Sequence, residues 1–272
     1  MQQRSRHLKA EGRAIVFVPT MGFLHEGHLS LMREGRQRGD VLVASIFVNP
    51  AQFSPSEDFA TYPRNMERDV TLTRKAGVDI LFTPDPGDMY RPGFQTYVQL
   101  ERLPHHLCGL SRPAFFRGVA TVVTKLFHIV MPDVAVFGEK DYQQLIVIRR
   151  MVADLDLGVD IVGGPTVREP GGLAMSSRNA YLTAQQRPAA LSLYRALQRA
   201  VGMVADGERD AARVVEAARD LIGTFPDTAI DYIAIVDPET LEDVPVIDRP
   251  VRMALAVKVG ATRLIDNLAL VP

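Results

Sequence analysis

The residues best able to do chemistry stand in Pro19-Thr20-Met21-Gly22-Phe23-Leu24-His25-Glu26-Gly27-His28, where a short apolar run gives way to a helical pattern. Imidazoles at that place can donate to phosphoryl oxygens and stabilise charge developing in a transition state. The free N–H groups and positive dipole end of the following helix favour the same ligand. Capping roles for His25 and His28 compete with this reading. Metal ligation has less behind it, because no Cys or His set completes a zinc site and the H-E-x-x-H spacing is absent. A second junction, Gly138-Glu139-Lys140-Asp141-Tyr142-Gln143-Gln144, offers Lys140 as a point charge for phosphate. The spacing of Lys140 and Gln144 puts a cation and an amide on one helical face. A solvated Glu-Lys-Asp helix start is the plainer alternative.

Two further segments complete the set. In Leu173-Ala174-Met175-Ser176-Ser177-Arg178-Asn179, hydroxyls beside an arginine suit a triphosphate, since Arg forks onto phosphate while hydroxyls and backbone N–H groups hold its other oxygens. An ordinary polar connector is the plainer reading of this stretch alone, and its place opposite the sheet edge would suit a lid over the nucleotide. Phe47-Val48-Asn49-Pro50-Ala51-Gln52-Phe53 puts the neutral amides of Asn49 and Gln52 after a second apolar run, suited to hydroxyls and carboxylates of a small polar substrate or to a simple Asn-Pro turn.

The elements that must position these residues alternate in type. β-Branched runs at Ala14 to Val18, Val41 to Val48, Asp79 to Phe82, Val134 to Phe137 and Val159 to Val162 predict strands. Leu29 to Arg38, Asn65 to Ala76, Val119 to Val130 and Tyr142 to Leu155 carry the spacing of one-faced helices. The alternation predicts an α/β fold: a Rossmann-like doubly wound parallel sheet, whose ligand crevice lies beyond the C-terminal strand ends. It stops at the glycines and prolines of 163–172, which sets the expected division at 1–165, a nucleotide- and substrate-binding domain, and 166–272, a smaller C-terminal α+β lid domain. There, Thr183 and Gln186 have capping-box spacing for a helix to about Ala205, followed by a helix at Asp210 to Gly223. Strands are expected at Ala229 to Val236, Val251 to Val259 and Arg263 to Leu268.

Composition narrows the class of function. With 31 Lys and Arg against 32 Asp and Glu, no global positive field exists for nucleic acid. The single cysteine, Cys108, cannot form an internal disulfide and reads as a small buried residue in a reducing compartment. Met1 to Arg13 is polar and basic without an apolar core, and no later run has the length of a membrane span. The expectation is a cytoplasmic protein with neither nucleic-acid nor membrane partners.

Together PTMGFLHEGH, SIFVNPAQF, YPR, FRGV, FGEKDYQQL and GLAMSSRNAYL, in this order, with TRLIDN near the end, resemble the pantothenate synthetase family (pantoate–β-alanine ligases) of the HIGH-type nucleotidylyl transferase superfamily. The resemblance implies that pantoate attacks the α-phosphate of MgATP to give pantoyl adenylate and pyrophosphate, after which β-alanine displaces AMP to give pantothenate. ATP and Mg²⁺ are the implied cofactors, with no dedicated metal ligands, and a homodimer is the implied assembly. ATP contacts are implied for Met21, Gly22, Phe23, Leu24, His25, Glu26, Gly27, His28, Gly138, Glu139, Lys140, Asp141, Val167, Met175, Ser176, Ser177 and Arg178. Catalytic roles fall to His28, the family's proton donor, with His25, Lys140, Ser176, Ser177 and Arg178. Gln52 and Gln144 would hold pantoate, Gln52 also taking part in the β-alanine site.

The chain departs from the family pattern in places. Family members commonly carry Gly-His before the Phe-x-Gly-Val segment, whereas this chain has Ala114-Phe115. The segment ahead of the first strand looks short, and Pro170-Gly171 is an unusual approach to the Ser176 loop. An adenylyltransferase acting on a phosphorylated acceptor and a non-catalytic nucleotide-binding protein remain as other readings of the same residues.

Overall fold

The computed structural model describes residues 1–55 and 57–272. Its strands are β1 (Ile15–Thr20), β2 (Val41–Ile46), β3 (Ile80–Phe82), β4 (Val134–Gly138), β5 (Asp160–Gly164), β6 (Thr228–Val236), β7 (Val251–Val259) and β8 (Thr262–Leu270). Its helices are α1 (Gln2–Ala10), α2 (Glu26–Arg36), α3 (Met66–Lys75), α4 (Pro86–Met89), α5 (Cys108–Ser111), α6 (Phe115–Val130), α7 (Tyr142–Asp154), α8 (Arg187–Ala205) and α9 (Ala211–Gly223). Two compact units result: Met1–Glu101, Arg112–Glu139 and Gln144–Thr166 form the first, and Arg102–Ser111, Lys140–Gln143 and Val167–Pro272 the second.

The first unit is the doubly wound sheet that the alternation predicts. Its strands lie in the order β3-β2-β1-β4-β5, and every neighbouring pair is parallel. Successive side chains of a strand point to opposite faces, and here both faces are buried. Ile15, Phe17, Val41, Val43, Ala135 and Phe137 pack with α6 and α7 through Val119, Val123, Leu145 and Ile148. Val16, Val18, Leu42, Ala44 and Val136 pack instead with Leu31 and Met32 of α2, joined by Leu72 of α3. This is why the strands read as unbroken apolar runs rather than alternating ones.

Some boundaries move for physical reasons. α2 begins at Glu26 rather than Leu29, so the histidine motif is itself the start of the helix. α6 begins at Phe115 rather than Val119, taking Gly118 into its first turns. The polar N-terminal segment forms α1, which sequence periodicity missed because little of it is buried beyond Ser5 and Leu8. It is tied down by Ser5 Oγ donating to the Ile129 carbonyl at 3.3 Å, Gln2 Nε2 donating to the His128 carbonyl at 3.0 Å, and a Lys9–Asp133 ion pair.

In the second unit β6, β7 and β8 form an antiparallel meander. Its core is built with α8 and α9, Leu193, Leu197, Val214 and Ile222 meeting Ile233, Met253, Leu255 and Val257. The Thr183–Gln186 capping box forms reciprocally, at 3.1 and 3.3 Å, but in the turn before α8, whose helical run begins at Arg187. Arg168 forks onto Asp266 at 2.6 and 2.9 Å and lies 4.3 Å from the Tyr194 ring. Cys108 is buried as expected, with its Sγ 3.4 Å from Arg263 Nη2 and 3.5 Å from the Tyr232 hydroxyl.

Removing one partner of a buried ion pair strands the other charge. The Asp266 side chain is 2% exposed and that of Arg168 15%. We expect Asp266→Ala to destabilise the second unit by about 3–5 kcal/mol, read from urea unfolding followed by circular dichroism. A midpoint equal to that of the unaltered chain would show the pair to be dispensable.

Candidate active site

The order of the first unit's sheet reverses between β1 and β4, since β1 leads to α2 on one face and β4 to α7 on the other. Ligands of open α/β sheets bind in the crevice that such a reversal opens at the C-terminal strand ends. The segment after β1 is Met21-Gly22-Phe23-Leu24-His25, and its course is set by three anchors. Thr20 Oγ1 donates to the Ser45 carbonyl at 2.7 Å and accepts from Gly22 N–H at 3.2 Å. Gly22 has φ +84°, and a Cβ there would stand 2.9 Å from Ile46 Cγ2, so both conformation and space require glycine. Phe23 follows at φ 50°, also left-handed.

The third anchor is the Asp69 carboxylate, 1% exposed, which accepts from Phe23 N–H at 2.7 Å and Leu24 N–H at 2.8 Å. Arg68 Nη1 donates to the Leu24 carbonyl at 2.8 Å from the same helix, α3. These bonds hold a left-handed, strained turn against a rigid helix. Sequence reading missed Asp69. A signal was present, because Asp69 shares the three-and-four spacing of Leu72, Thr73 and Ala76, an acid within an otherwise inward stripe.

The turn delivers the two imidazoles to the start of α2. His25 is the N-cap, and its own N–H donates to His28 Nδ1 at 3.3 Å. The rings lie 4.0 Å apart, tilted by 35°. Because Nδ1 accepts, neutral His28 carries its proton on Nε2 and presents a donor. Glu26 in the first turn pairs with Arg33 along the helix.

Beside this turn lies an amide cluster. Asn49 caps the short 3₁₀ turn Pro50–Gln52, its Oδ1 accepting from Ala51 N–H at 3.3 Å and from the Tyr90 hydroxyl at 2.7 Å. Its Nδ2 donates to Gln52 Oε1 and to the Gly118 carbonyl, each at 3.1 Å. Gln52 Nε2 in turn contacts Met21 Sδ at 3.2 Å. A Cβ on Gly118 would meet the Ala51 carbonyl oxygen at 2.2 Å, so α6 packs backbone against backbone here. Burial pushes the Tyr90 phenol up to about 12, which keeps it a donor at neutral pH.

At the end of β4, Gly138 and Glu139 belong to the first unit. Lys140 stands in the 3₁₀ turn Glu139–Asp141, whereas Gln144 is half-buried on α7. The expected common helical face is therefore corrected, because a 3₁₀ turn rotates its side chains differently from an α-helix. In the second unit the Lys140 ammonium is 3.7 Å from Asp141 Oδ1, and the Lys140 carbonyl accepts from Asn267 Nδ2 at 2.9 Å. Gln143 is buried and structural, its Nε2 donating to the carbonyls of Leu103 and His106 and its Oε1 accepting from Cys108 N–H.

Val167, Met175, Ser176, Ser177 and Arg178 also lie in the second unit. Pro170-Gly171 forms the tip of a tight hairpin closed by the Arg168–Ala174 bridge, and the Val167 carbonyl accepts from Met175 N–H at 2.9 Å. Gly172 is left-handed at φ +99°, crowded against Tyr194. The hairpin delivers Ser176 as N-cap of the 3₁₀ segment Ser177–Tyr181, its Oγ accepting from Arg178 N–H at 3.2 Å.

The family model for pantoate-beta-alanine ligase matches residues 1–269. The chain belongs to the pantoate–β-alanine ligase family. A pantothenate synthetase of Desulfatibacillum aliphaticivorans is 60% identical over 272 residues, covering 100% of this chain and 97% of that protein. The crystal structure of pantothenate synthetase from Thermus thermophilus superposes with a TM-score of 0.94 at 47% identity, covering 98% of each chain. That of the pantoate-beta-alanine ligase from Francisella tularensis, complexed with beta-gamma ATP and beta-alanine, superposes at 0.79 with 32% identity, covering 98% of this chain and 94% of that one.

At Phe115, where the resemblance led to an expectation of histidine, the ring lies under the Arg112 guanidinium, 3.7 Å from its centroid. Arg112 forks onto Glu57, both bonds 2.7 Å, and donates to the Gln52 carbonyl at 3.2 Å. Phe115 thus supplies a stacking surface for a residue that touches the Gln52 backbone. It cannot supply a proton.

Asp69→Ala would leave two N–H groups, that of Leu24 buried and that of Phe23 half-buried, without their acceptor. We expect a loss of about 2–5 kcal/mol in urea unfolding and collapse of ATP binding by calorimetry. Native-like ATP affinity in a folded Asp69→Ala chain would remove Asp69 as the anchor of the turn.

Proposed function

We propose that the chain condenses pantoate with β-alanine at the expense of ATP. The pantoate carboxylate attacks the α-phosphorus, breaking the bridging P–O bond to pyrophosphate. The neutral amine of β-alanine then attacks the acyl carbon of pantoyl adenylate, expelling AMP and losing a proton. The observation that carries the reading is the turn after β1, which sets a His28 Nε2–H donor at a helix N-terminus beyond the switch in strand order. Membership of the pantoate–β-alanine ligase family supports the choice of substrates.

In this reading Met21, Gly22, Phe23, Leu24, His25, Glu26, Gly27 and His28 line ATP, with Gly138, Glu139, Lys140, Asp141, Val167, Met175, Ser176, Ser177 and Arg178. His28, assisted by His25, donates toward the departing pyrophosphate, while Lys140 and Arg178 offset its charge and Ser176 and Ser177 hold its oxygens. Val167 acts through its backbone. Gln52 and Gln144 hold pantoate, and Gln52 adjoins the β-alanine position. Mg²⁺ arrives on the triphosphate as part of the substrate. The reading keeps 1–165 as the nucleotide and pantoate domain, 166–272 as a lid, a homodimer as the assembly and the cytoplasm as the compartment. Among the described residues no helix is long and apolar enough to cross a membrane.

The test is an assay of pyrophosphate and AMP with MgATP, adding pantoate and β-alanine separately and together, with product mass determined. Pyrophosphate should depend on pantoate, and pantothenate with AMP should require both acids. His28→Ala should slow adenylate formation on the order of 100-fold, while amide formation from supplied pantoyl adenylate is largely spared. Equal loss in both steps would overturn the assignment of His28, and AMP transfer to a phosphorylated acceptor without amide formation would overturn the reaction.

A further inference from the structure

The amide cluster around Asn49 has its hydrogen-bond polarity fixed from outside. Ala51 N–H can only donate and the Gly118 carbonyl can only accept, so Asn49 must turn Oδ1 toward the former and Nδ2 toward the latter. Two consequences follow from that orientation. The Tyr90 hydroxyl, facing Asn49 Oδ1 at 2.7 Å, is obliged to donate. Gln52, facing Asn49 Nδ2 at 3.1 Å, is obliged to present Oε1 to it, which turns Nε2 the other way. There Nε2 meets Met21 Sδ, a weak acceptor that an incoming oxygen displaces at little cost.

Tyr90 is held for this task by its ring. It packs edge-on to Phe94 at 5.1 Å and tilted to Phe47 at 6.5 Å, with the Lys125 ammonium 6.0 Å from its centroid. None of these contacts uses the hydroxyl, which among the described residues bonds to Asn49 Oδ1.

We propose that Tyr90 is a positioning residue for the acid substrate: its hydroxyl anchors Asn49 in place, in the polarity that Ala51 and Gly118 set, and so holds the Gln52 amide with Nε2–H directed at an acceptor oxygen of pantoate. The proposal rests on the reading of Gln52 as a pantoate ligand. It assigns Tyr90 no contact with substrate. Without the hydroxyl, Asn49 Oδ1 keeps only the 3.3 Å bond from Ala51, and the amide whose Nδ2 holds Gln52 is less firmly anchored.

Tyr90→Phe removes the hydroxyl and leaves the ring packing. We expect it to weaken pantoate about five-fold, the size of one neutral hydrogen bond, with ATP affinity and thermal midpoint essentially unchanged. Gln52→Ala should weaken pantoate more, and Tyr90→Phe should add nothing in that background, because coupled residues are not additive. A full additive effect in the Gln52→Ala background, or equal loss of ATP and pantoate affinity, would make Tyr90 merely structural and overturn the proposal. If Gln52→Ala weakens pantoate while Tyr90→Phe does not, the proposal alone falls. If Gln52→Ala leaves pantoate affinity untouched, the reading of Gln52 falls and the proposal with it.

Discussion

A parallel strand buried on both faces has no place along its length for a working polar side chain, and that constraint organises the first unit. β1, β2 and β4 are apolar toward both layers of helices. Ser45 is instructive as the exception, because its hydroxyl is buried in β2 without a hydrogen-bond partner among the described residues. Chemistry is pushed to the strand ends, where backbone N–H groups, helix N-termini and short turns are available. The residues leaving β1 are then placed by what holds the turn rather than by the strand itself. A buried carboxylate on α3, a threonine hydroxyl at the end of β1 and two left-handed residues do this together.

The parts of this arrangement that could be read from sequence are those with a repeating physical cause. Doubly buried strands give β-branched runs, one-faced helices give three-and-four spacing, and both survive without knowledge of the tertiary contacts. The two helices and three strands of the second unit were legible on the same grounds, whereas their antiparallel pairing was not. Helix α1 was not, since a helix with little buried beyond Ser5 and Leu8 leaves almost no periodic trace. The capping box at Thr183 and Gln186 formed as read, yet it closes a turn ahead of α8 because Arg187 and Pro188 start a fresh helical run.

Polar roles were harder, for a reason visible in neighbouring residues. Gln143 and Gln144 are chemically identical and adjacent, but the first is spent on Leu103, His106 and Cys108 while the second remains half-buried on α7. Asn49 and Gln52 were legible as amides near a strand end. What Asn49 bonds to, the Tyr90 hydroxyl on one side and the Gly118 carbonyl on another, lies far along the chain and carries no local signature. Phe115 is comparable: its departure from the family pattern was plain in the sequence, whereas its stacking under Arg112 required coordinates.

The close approach of Gly118 to the Ala51 carbonyl reaches beyond local packing. With no side chain between them, helix α6 and the turn carrying Gln52 behave as one mechanical part, further tied by Asn49. On the proposed role of Gln52, redesigning acid preference by widening its surroundings from the α6 side is therefore blocked, since any larger residue at 118 drives the turn away. On the same proposal, room for a bulkier or differently branched acid is to be made from the Met21 side, where the contact to Gln52 is a soft thioether.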